Sequence, residues 1–246
     1  MWLTVVGCSG SGPGPDSAAS CYLVEHDGFR LVVDMGSGAF GTLQAVLDPA
    51  DIDAIYLSHM HADHCLDIAP FVVWHRYSRQ APRPRVPLYA PVGGDRRLAW
   101  AYDDEGDPLT DVFDFVFIGP GSFALGPFQA RTARTAHPVE CNALRLDAGG
   151  RSLVYTGDTG PSAEVVELAR GADVLLAEAA HPEIEGLPAN LHLTGRQAGE
   201  HALAAAVDRL LITHVPTWVD RDQQLKAAAA VFPRAELVST GSVHDV

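Results

Sequence analysis

Residues 58–66 read S-H-M-H-A-D-H-C-L, which sets three imidazoles (His59, His61 and His64) and one carboxylate (Asp63) within six residues. In an extended segment residues two apart share a face, so His59 and His61 can grip one ion. A turn after Ala62 lets Asp63 and His64 face a second. Three further features end apolar runs in the same way: A-H-P at His137, Y-T-G-D-T-G at Asp158 and L-I-T-H-V at His214. A chemically complete arrangement assigns His59, His61 and His137 to one ion and Asp63, His64 and His214 to the other, with the Asp158 carboxylate bridging both. Imidazole nitrogens with carboxylate oxygens suit zinc, manganese or iron, and a donor set without cysteine argues against a purely structural zinc site. Two such ions about 4 Å apart lower the pKa of a shared water to about 7 and clamp anionic oxygens, which is hydrolytic machinery.

The elements that must position these groups follow from the apolar pattern. Residues 3–6, 22–24 and 31–33 read as short strands separated by Gly, Pro and Ser, with loops at residues 7–20 and 34–38 (D-M-G-S-G) and a helix over 40–47. The His cluster follows a strand at 54–57 and precedes a helix at 68–77, an Arg- and Pro-rich connector at 78–87, a strand at 86–90, a helix at 93–102 and an acidic solvated loop at 103–111. Residues 112–146 read as several antiparallel strands broken at 119–121, 126 and 137–140. The rest alternates: strand 153–155, helix 162–170, strand 174–177, helix 194–206, strand 210–213, helix 222–231, strand 236–238. Two mixed sheets covered outside by helices, with the ligand candidates along one edge, explain this order over residues 1–246 as one domain.

At 246 residues and 47% apolar content the chain can bury a substantial core. Its net charge of -14, with Lys226 the lone lysine, disfavours the phosphate-tracking surface that long nucleic acids need. The four cysteines (Cys8, Cys21, Cys65 and Cys141) form no C-x-x-C pair, so reduced thiols in the cytoplasm are expected. The opening residues read as a strand instead of a targeting leader, and no apolar stretch approaches the roughly 18 residues that span a membrane.

The signature His-x-His-x-Asp-His at His59, His61, Asp63 and His64 resembles that of the metallo-beta-lactamase superfamily, and the likeness extends over nearly the whole chain. It implies a four-layer αββα sandwich and carries metal roles onto His137, Asp158 and His214. The segment N-L-H-L-T-G-R-Q-A-G-E-H-A at residues 190–202 looks like the His-Ser/Thr motif of the ribonuclease Z branch, where such a histidine assists at the scissile phosphate and a glutamate orients it. The matching positions are His192 and Glu178, which with Asp63 form the expected catalytic group. Only twenty residues separate His137 from Asp158, where ribonuclease Z inserts its tRNA-grasping arm, so a tRNA 3'-end nuclease is disfavoured. The stretches G-C-S-G-S-G-P-G-P-D-S-A-A-S-C-Y-L-V and H-A-D-H-C-L-D-I look closest to the actinobacterial branch of atypical cyclic-nucleotide phosphodiesterases.

The resulting expectation is a dinuclear metal-dependent phosphodiesterase for small substrates such as cyclic AMP. It would hold two divalent ions, zinc first and manganese or iron as alternatives, without a membrane or long nucleic acid as partner. A homodimer would follow the habit of the resembling branch. The alternative keeps the site and changes the bond to a lactone, thioester or other carbonyl ester. A di-iron redox protein is a weaker fit, since redox relatives replace the second signature histidine with glutamate, and here that position is His61. Ser9, Gly10 and Ser11 form a Gly-rich turn. Cys8, Cys65 and Cys141 are expected to be buried and inert, and Trp74, Arg76 and Tyr77 to pack at core and rim. His75, His181 and His201 are expected on the surface or on helix faces.

Overall fold

Alternating burial along the strands decides the layering. In the computed structural model, which describes residues 1–79, 82–103 and 106–246, Leu31 and Val33 join one apolar cluster while Val32, between them, joins another. In the same way Leu211 faces one layer and Leu210 and Ile212 face the opposite one. Strands buried on both faces need cover on both.

The first half supplies β1 (Trp2–Ser9), β2 (Ala18–Ala19), β3 (Cys21–His26), β4 (Phe29–Val33), β5 (Ala54–Tyr56), β6 (Val86–Pro91) and β7 (Phe113–Ile118). The second supplies β8 (Gly121–Leu125), β9 (Phe128–Arg134), β10 (Asn142–Ala148), β11 (Arg151–Tyr155), β12 (Val174–Glu178), β13 (Arg209–Thr213) and β14 (Ala235–Leu237). A last strand, β15 (Val243–Asp245), returns to the first half. One sheet runs β15-β1-β3-β4-β5-β6-β7 with β2 beside β1, and the other runs β14-β13-β12-β11-β10-β9-β8. Both are mixed: β1, β3 and β4 pair antiparallel and β4 to β7 parallel, while β8 to β11 pair antiparallel and β11 to β14 parallel.

The facing sides share a core that includes Leu3, Tyr22, Leu31, Leu144, Tyr155 and Leu176. Outside the first sheet lie α1 (Ala39–Leu43), α2 (Ala62–Cys65), α3 (Ile68–Tyr77) and α4 (Gly94–Tyr102), whose Phe40, Leu43, Ile68, Phe71 and Leu98 cover Val32 and Ile55. Outside the second lie α5 (Ala163–Ala169), α6 (Gly195–Ala205) and α7 (Arg221–Ala229), which bury Val165, Ala198, Ala202 and Ala228 against Leu175 and Ile212. This is the expected four-layer αββα sandwich. Among the described residues no helix is long and apolar enough to cross a membrane.

Several boundaries differ from the sequence reading. The helix expected at 40–47 is regular only over Ala39–Leu43 and continues as hydrogen-bonded turns toward Pro49. Strand β1 runs on to Ser9, and β2 interrupts the loop expected at 7–20. Strand β7 pairs parallel to β6 instead of joining an antiparallel set, since strand direction leaves no mark on apolar alternation. Residues 80 and 81 of the connector and 104 and 105 of the acidic loop lie outside the described residues.

Candidate metal centre

All seven expected ligands converge at one end of the sandwich. His59 and His61 follow β5, and Asp63 and His64 sit on α2. His137 follows β9, Asp158 follows β11 and His214 follows β13. Parallel strands ending together make this the natural place for loop-borne chemistry. His59 Nε2 lies 3.0 Å from His61 Nδ1, which lies 3.3 Å from His137 Nε2. Asp158 Oδ2 stands 3.7 Å from His59 Nε2, while its Oδ1 stands 3.2 Å from His64 Nε2 and 3.4 Å from His214 Nε2. Asp63 Oδ2 adds contacts of 3.5 Å to His64 Nε2 and 3.7 Å to His214 Nε2. One ligand atom from each of His59, His61, His137 and Asp158 lies within 4.8 Å of the others, and the same holds for Asp63, His64, Asp158 and His214. Ligand atoms sharing a tetrahedral ion at bond lengths of about 2.1 Å sit about 3.4 Å apart. The two carboxylate oxygens of Asp158 therefore face different groups, as a bridging ligand requires.

The hydrogen bonds behind the ring fix which nitrogen faces inward. Asp34, fully buried, accepts from Ser58 N (2.7 Å), Ser58 Oγ (2.8 Å), His64 Nδ1 (2.7 Å) and Tyr155 Oη (2.7 Å). With its proton on Asp34, Ser58 Oγ accepts from His59 Nδ1 at 3.1 Å. His214 Nδ1 donates to Ser20 Oγ at 2.7 Å and His137 Nδ1 to the Leu191 carbonyl at 3.0 Å. Each of these imidazoles thus spends Nδ1–H on the protein and aims Nε2, which carries a lone pair in the neutral ring, toward the centre. Burial lowers the pKa of His59 and His137 and pushes His214 down to about 4, which keeps those lone pairs free. Burial opposes charge on His64, but Asp158 and Asp34 outweigh it and raise that imidazole's pKa; burial disfavours charge on Asp63 and Asp158 too, but His64 and the neighbouring rings more than reverse it and hold both ionised.

His64 Nε2, His214 Nε2 and Asp158 Oδ1 are buried and have no hydrogen-bond partner. Orphaned polar atoms are rare and cost roughly 1–3 kcal/mol each, and three pointing at one another call for a cation. The clusters are suited to a dinuclear metal site, and the donor set is the nitrogen and oxygen mixture that divalent transition ions accept.

Glu178 ends β12 and is fully buried. It accepts from Thr159 N at 2.7 Å, Ala180 N at 3.0 Å and His192 Nδ1 at 2.9 Å. Its carboxylate is thereby spent on positioning. His192 keeps its Nε2 for a ligand, with its ring 5.7 Å from that of His137 and 6.0 Å from that of His214. Burial opposes charge on His192, yet Glu178 outweighs it and raises the imidazole above its ordinary pKa. His181, expected on the surface or on a helix face, is instead buried on the loop after β12, its ring 5.2 Å from that of His192. His75 and His201 do lie on helix faces but are buried, bonded to the Pro84 carbonyl and to Ser162 N. The cysteines are free and buried, and burial raises the Cys65 and Cys141 thiols to about 12. The Gly-rich turn has a structural reason, since a Cβ on Gly10 would strike the His214 carbonyl.

Sequence reasoning missed Asp34, Ser20 and Tyr155 as supports. Asp34 left a signal, an acid directly after the fully apolar run Leu31 to Val33 that opens D-M-G-S-G. Ser20 and Tyr155 left none.

A sandwich of two mixed sheets carrying paired His and Asp clusters at one end defines a class of metal-dependent hydrolases. The pattern of the Metallo-beta-lactamase superfamily matches residues 14–210, and the chain belongs to that family. An uncharacterized protein of Mycobacterium leprae is 43% identical over 251 residues, 99% of this chain and 88% of that one. The probable metallo-hydrolase YhfI of Bacillus subtilis is 29% identical over 242 residues, 94% of each chain. Its crystal structure, described as a metallo-beta-lactamase fold protein, aligns with a TM-score of 0.89 at 27% identity over 99% of this chain and 98% of that one. Ribonuclease Z of Chlamydia trachomatis is 24% identical over 283 residues, covering 94% and 92%.

Proposed function

We propose that this metal-dependent hydrolase is a phosphodiesterase for small phosphodiesters such as cyclic nucleotides. His59, His61, His137 and Asp158 would hold one ion and Asp63, His64, His214 and Asp158 the other, with zinc as the first candidate. When bound, the ions supply a water of lowered pKa and a positive clamp for anionic oxygens. The observation that carries the reading is the Glu178–His192 pair set beside both clusters. Glu178 holds the imidazole in the tautomer whose Nε2 faces outward and favours its protonated form. His192 is thus equipped to give a proton or hydrogen bond to a leaving alkoxide, a role worth about 10² to 10⁴-fold.

Two features support a small substrate over a long nucleic acid. The interval between His137 and Asp158 is filled by the β10–β11 hairpin, which turns at Gly149 and Gly150 and leaves no room for an arm. The net charge of -14 would repel an extended phosphate backbone. Kinship with a ribonuclease Z supports chemistry at phosphorus without fixing the substrate.

The test is hydrolysis of bis(p-nitrophenyl) phosphate and cyclic AMP by zinc- or manganese-loaded protein, beside p-nitrophenyl acetate. Expected is metal-dependent turnover of both diesters that His192→Ala lowers by about 10² or more. Turnover of the acetate with silence on both diesters would transfer the site to carbonyl esters.

A further inference from the structure

We propose that a cavity beside the residues that flank His214 holds the base of the cyclic nucleotide, an inference that rests on the phosphodiesterase reading above. The cavity measures about 310 Å³ and lies between the N-terminal loop, the loop after His214 and the turn at Ser239 and Thr240. That is within the order of size of small-molecule sites. Ser9 and Val215, which line it, form an isolated bridge directly after His214, and Gly10 packs against the His214 backbone. Whatever fills the cavity therefore lies next to a ligand candidate of the second cluster.

The polar groups here lack partners in a way that describes a ligand. Ser9 is 3% exposed, and its hydroxyl has no hydrogen-bond partner. Arg221 makes one hydrogen bond, from Nη2 to the Val238 carbonyl at 2.6 Å, and forms no ion pair among the described residues. Asp16 lines the same cavity with neither an ion pair nor a hydrogen bond among those residues. An opposite pair of charges that do not meet is poorly served by an apolar guest, which would take water from both and put nothing in its place. A second phosphate would meet Arg221 but would also face the Asp16 carboxylate. A neutral heterocycle with donors on one edge and acceptors on another satisfies both charged groups: its amine or ring N–H donates to Asp16, and its ring nitrogen or carbonyl accepts from Arg221. Pro15 and Val215 supply apolar surface for the ring face.

The experiment compares kcat/KM for cyclic AMP with kcat/KM for bis(p-nitrophenyl) phosphate, a diester without a hydrogen-bonding base, in the metal-loaded enzyme. Arg221→Gln is expected to lower the ratio of the two by about tenfold or more, the effect of losing a hydrogen bond from a charged donor. Asp16→Asn, at an exposed position that tolerates change, is expected to lower it by about threefold and keeps the test alive if Arg221→Gln fails to fold. A merely structural role, acting by displacing His214, would depress both substrates alike and leave the ratio unchanged. An unchanged ratio in both variants overturns the assignment of the cavity while leaving the phosphodiesterase reading intact. Wild-type protein that cleaves neither diester overturns that reading, and the base pocket with it.

Discussion

Asp34 shows how one side chain can govern a centre it never touches. Its carboxylate collects four donors, two from Ser58, one from His64 and one from Tyr155, and through them sets the tautomers of His59 and His64. Asp34→Asn keeps the shape but replaces one acceptor oxygen with a donor NH₂ that must face a hydroxyl or an N–H. His64 then loses a charged acceptor and its Nε2 becomes a weaker donor of electrons. Metal affinity is expected to fall by about 10 to 100-fold, as measured by competition with a chromophoric chelator. Affinity equal to wild type would show that His64 needs no such orientation. The substitution also leaves a buried network partly unsatisfied, so a loss of roughly 1–3 kcal/mol in denaturant unfolding should accompany it.

At the scale of elements, the four-residue helix α2 carries Asp63 and His64, so its placement is the placement of two ligand candidates. The loop after β4 fixes it: Met35 N donates to the His64 carbonyl at 2.8 Å and Asp67 N to the Met35 carbonyl at 3.0 Å. Gly36 lies so close beneath that a Cβ there would collide with the Asp63 carbonyl. Gly36→Ala should therefore push α2 outward, destabilising the fold by about 1–3 kcal/mol and weakening metal binding together with it. Gly41→Ala, on the exposed side of α1 with nothing within 4 Å of the new methyl, should instead stabilise by about 0.5–1 kcal/mol. Thermal scans with and without metal separate the two, and a Gly36→Ala protein as stable as wild type would contradict the close approach. This pair also marks what was legible in the sequence. The signature residues and the histidines and aspartate ending strands could be read because each lies at a boundary between an apolar run and a turn. The supports could not, because their partners are distant in the chain: Asp34 and Tyr155 are 121 positions apart, and Ser20 and His214 are 194 apart. Three-residue β15 and two-residue β2 are too short for any periodicity, and the parallel sense of β7 comes from β6 beside it rather than from its own residues.

For the whole molecule, the centre draws on both halves of the sandwich. His59, His61, Asp63 and His64 come from the half built on the first sheet, and His137, Asp158 and His214 from the half built on the second. Without a cation this end concentrates buried acids: Asp34, Asp63, Asp158 and Glu178 are all at most 9% exposed, and the charged groups set against them are imidazoles such as His64 and His192. Bound ions would both cancel that repulsion and tie the sheets together, so metal should stabilise the fold beyond what the shared apolar core provides. At free metal about a thousandfold above the dissociation constant, linkage gives about 4 kcal/mol for one site. For a chain of this size that corresponds to a rise in Tm of roughly 8–16 °C. Calorimetry of chelator-treated protein should show this loss and recover it on adding zinc, with His64→Ala, which has already lost a ligand candidate, recovering much less. Equal Tm values with and without metal would mean that the two halves are held by their core alone and that the paired clusters do not bind ions tightly.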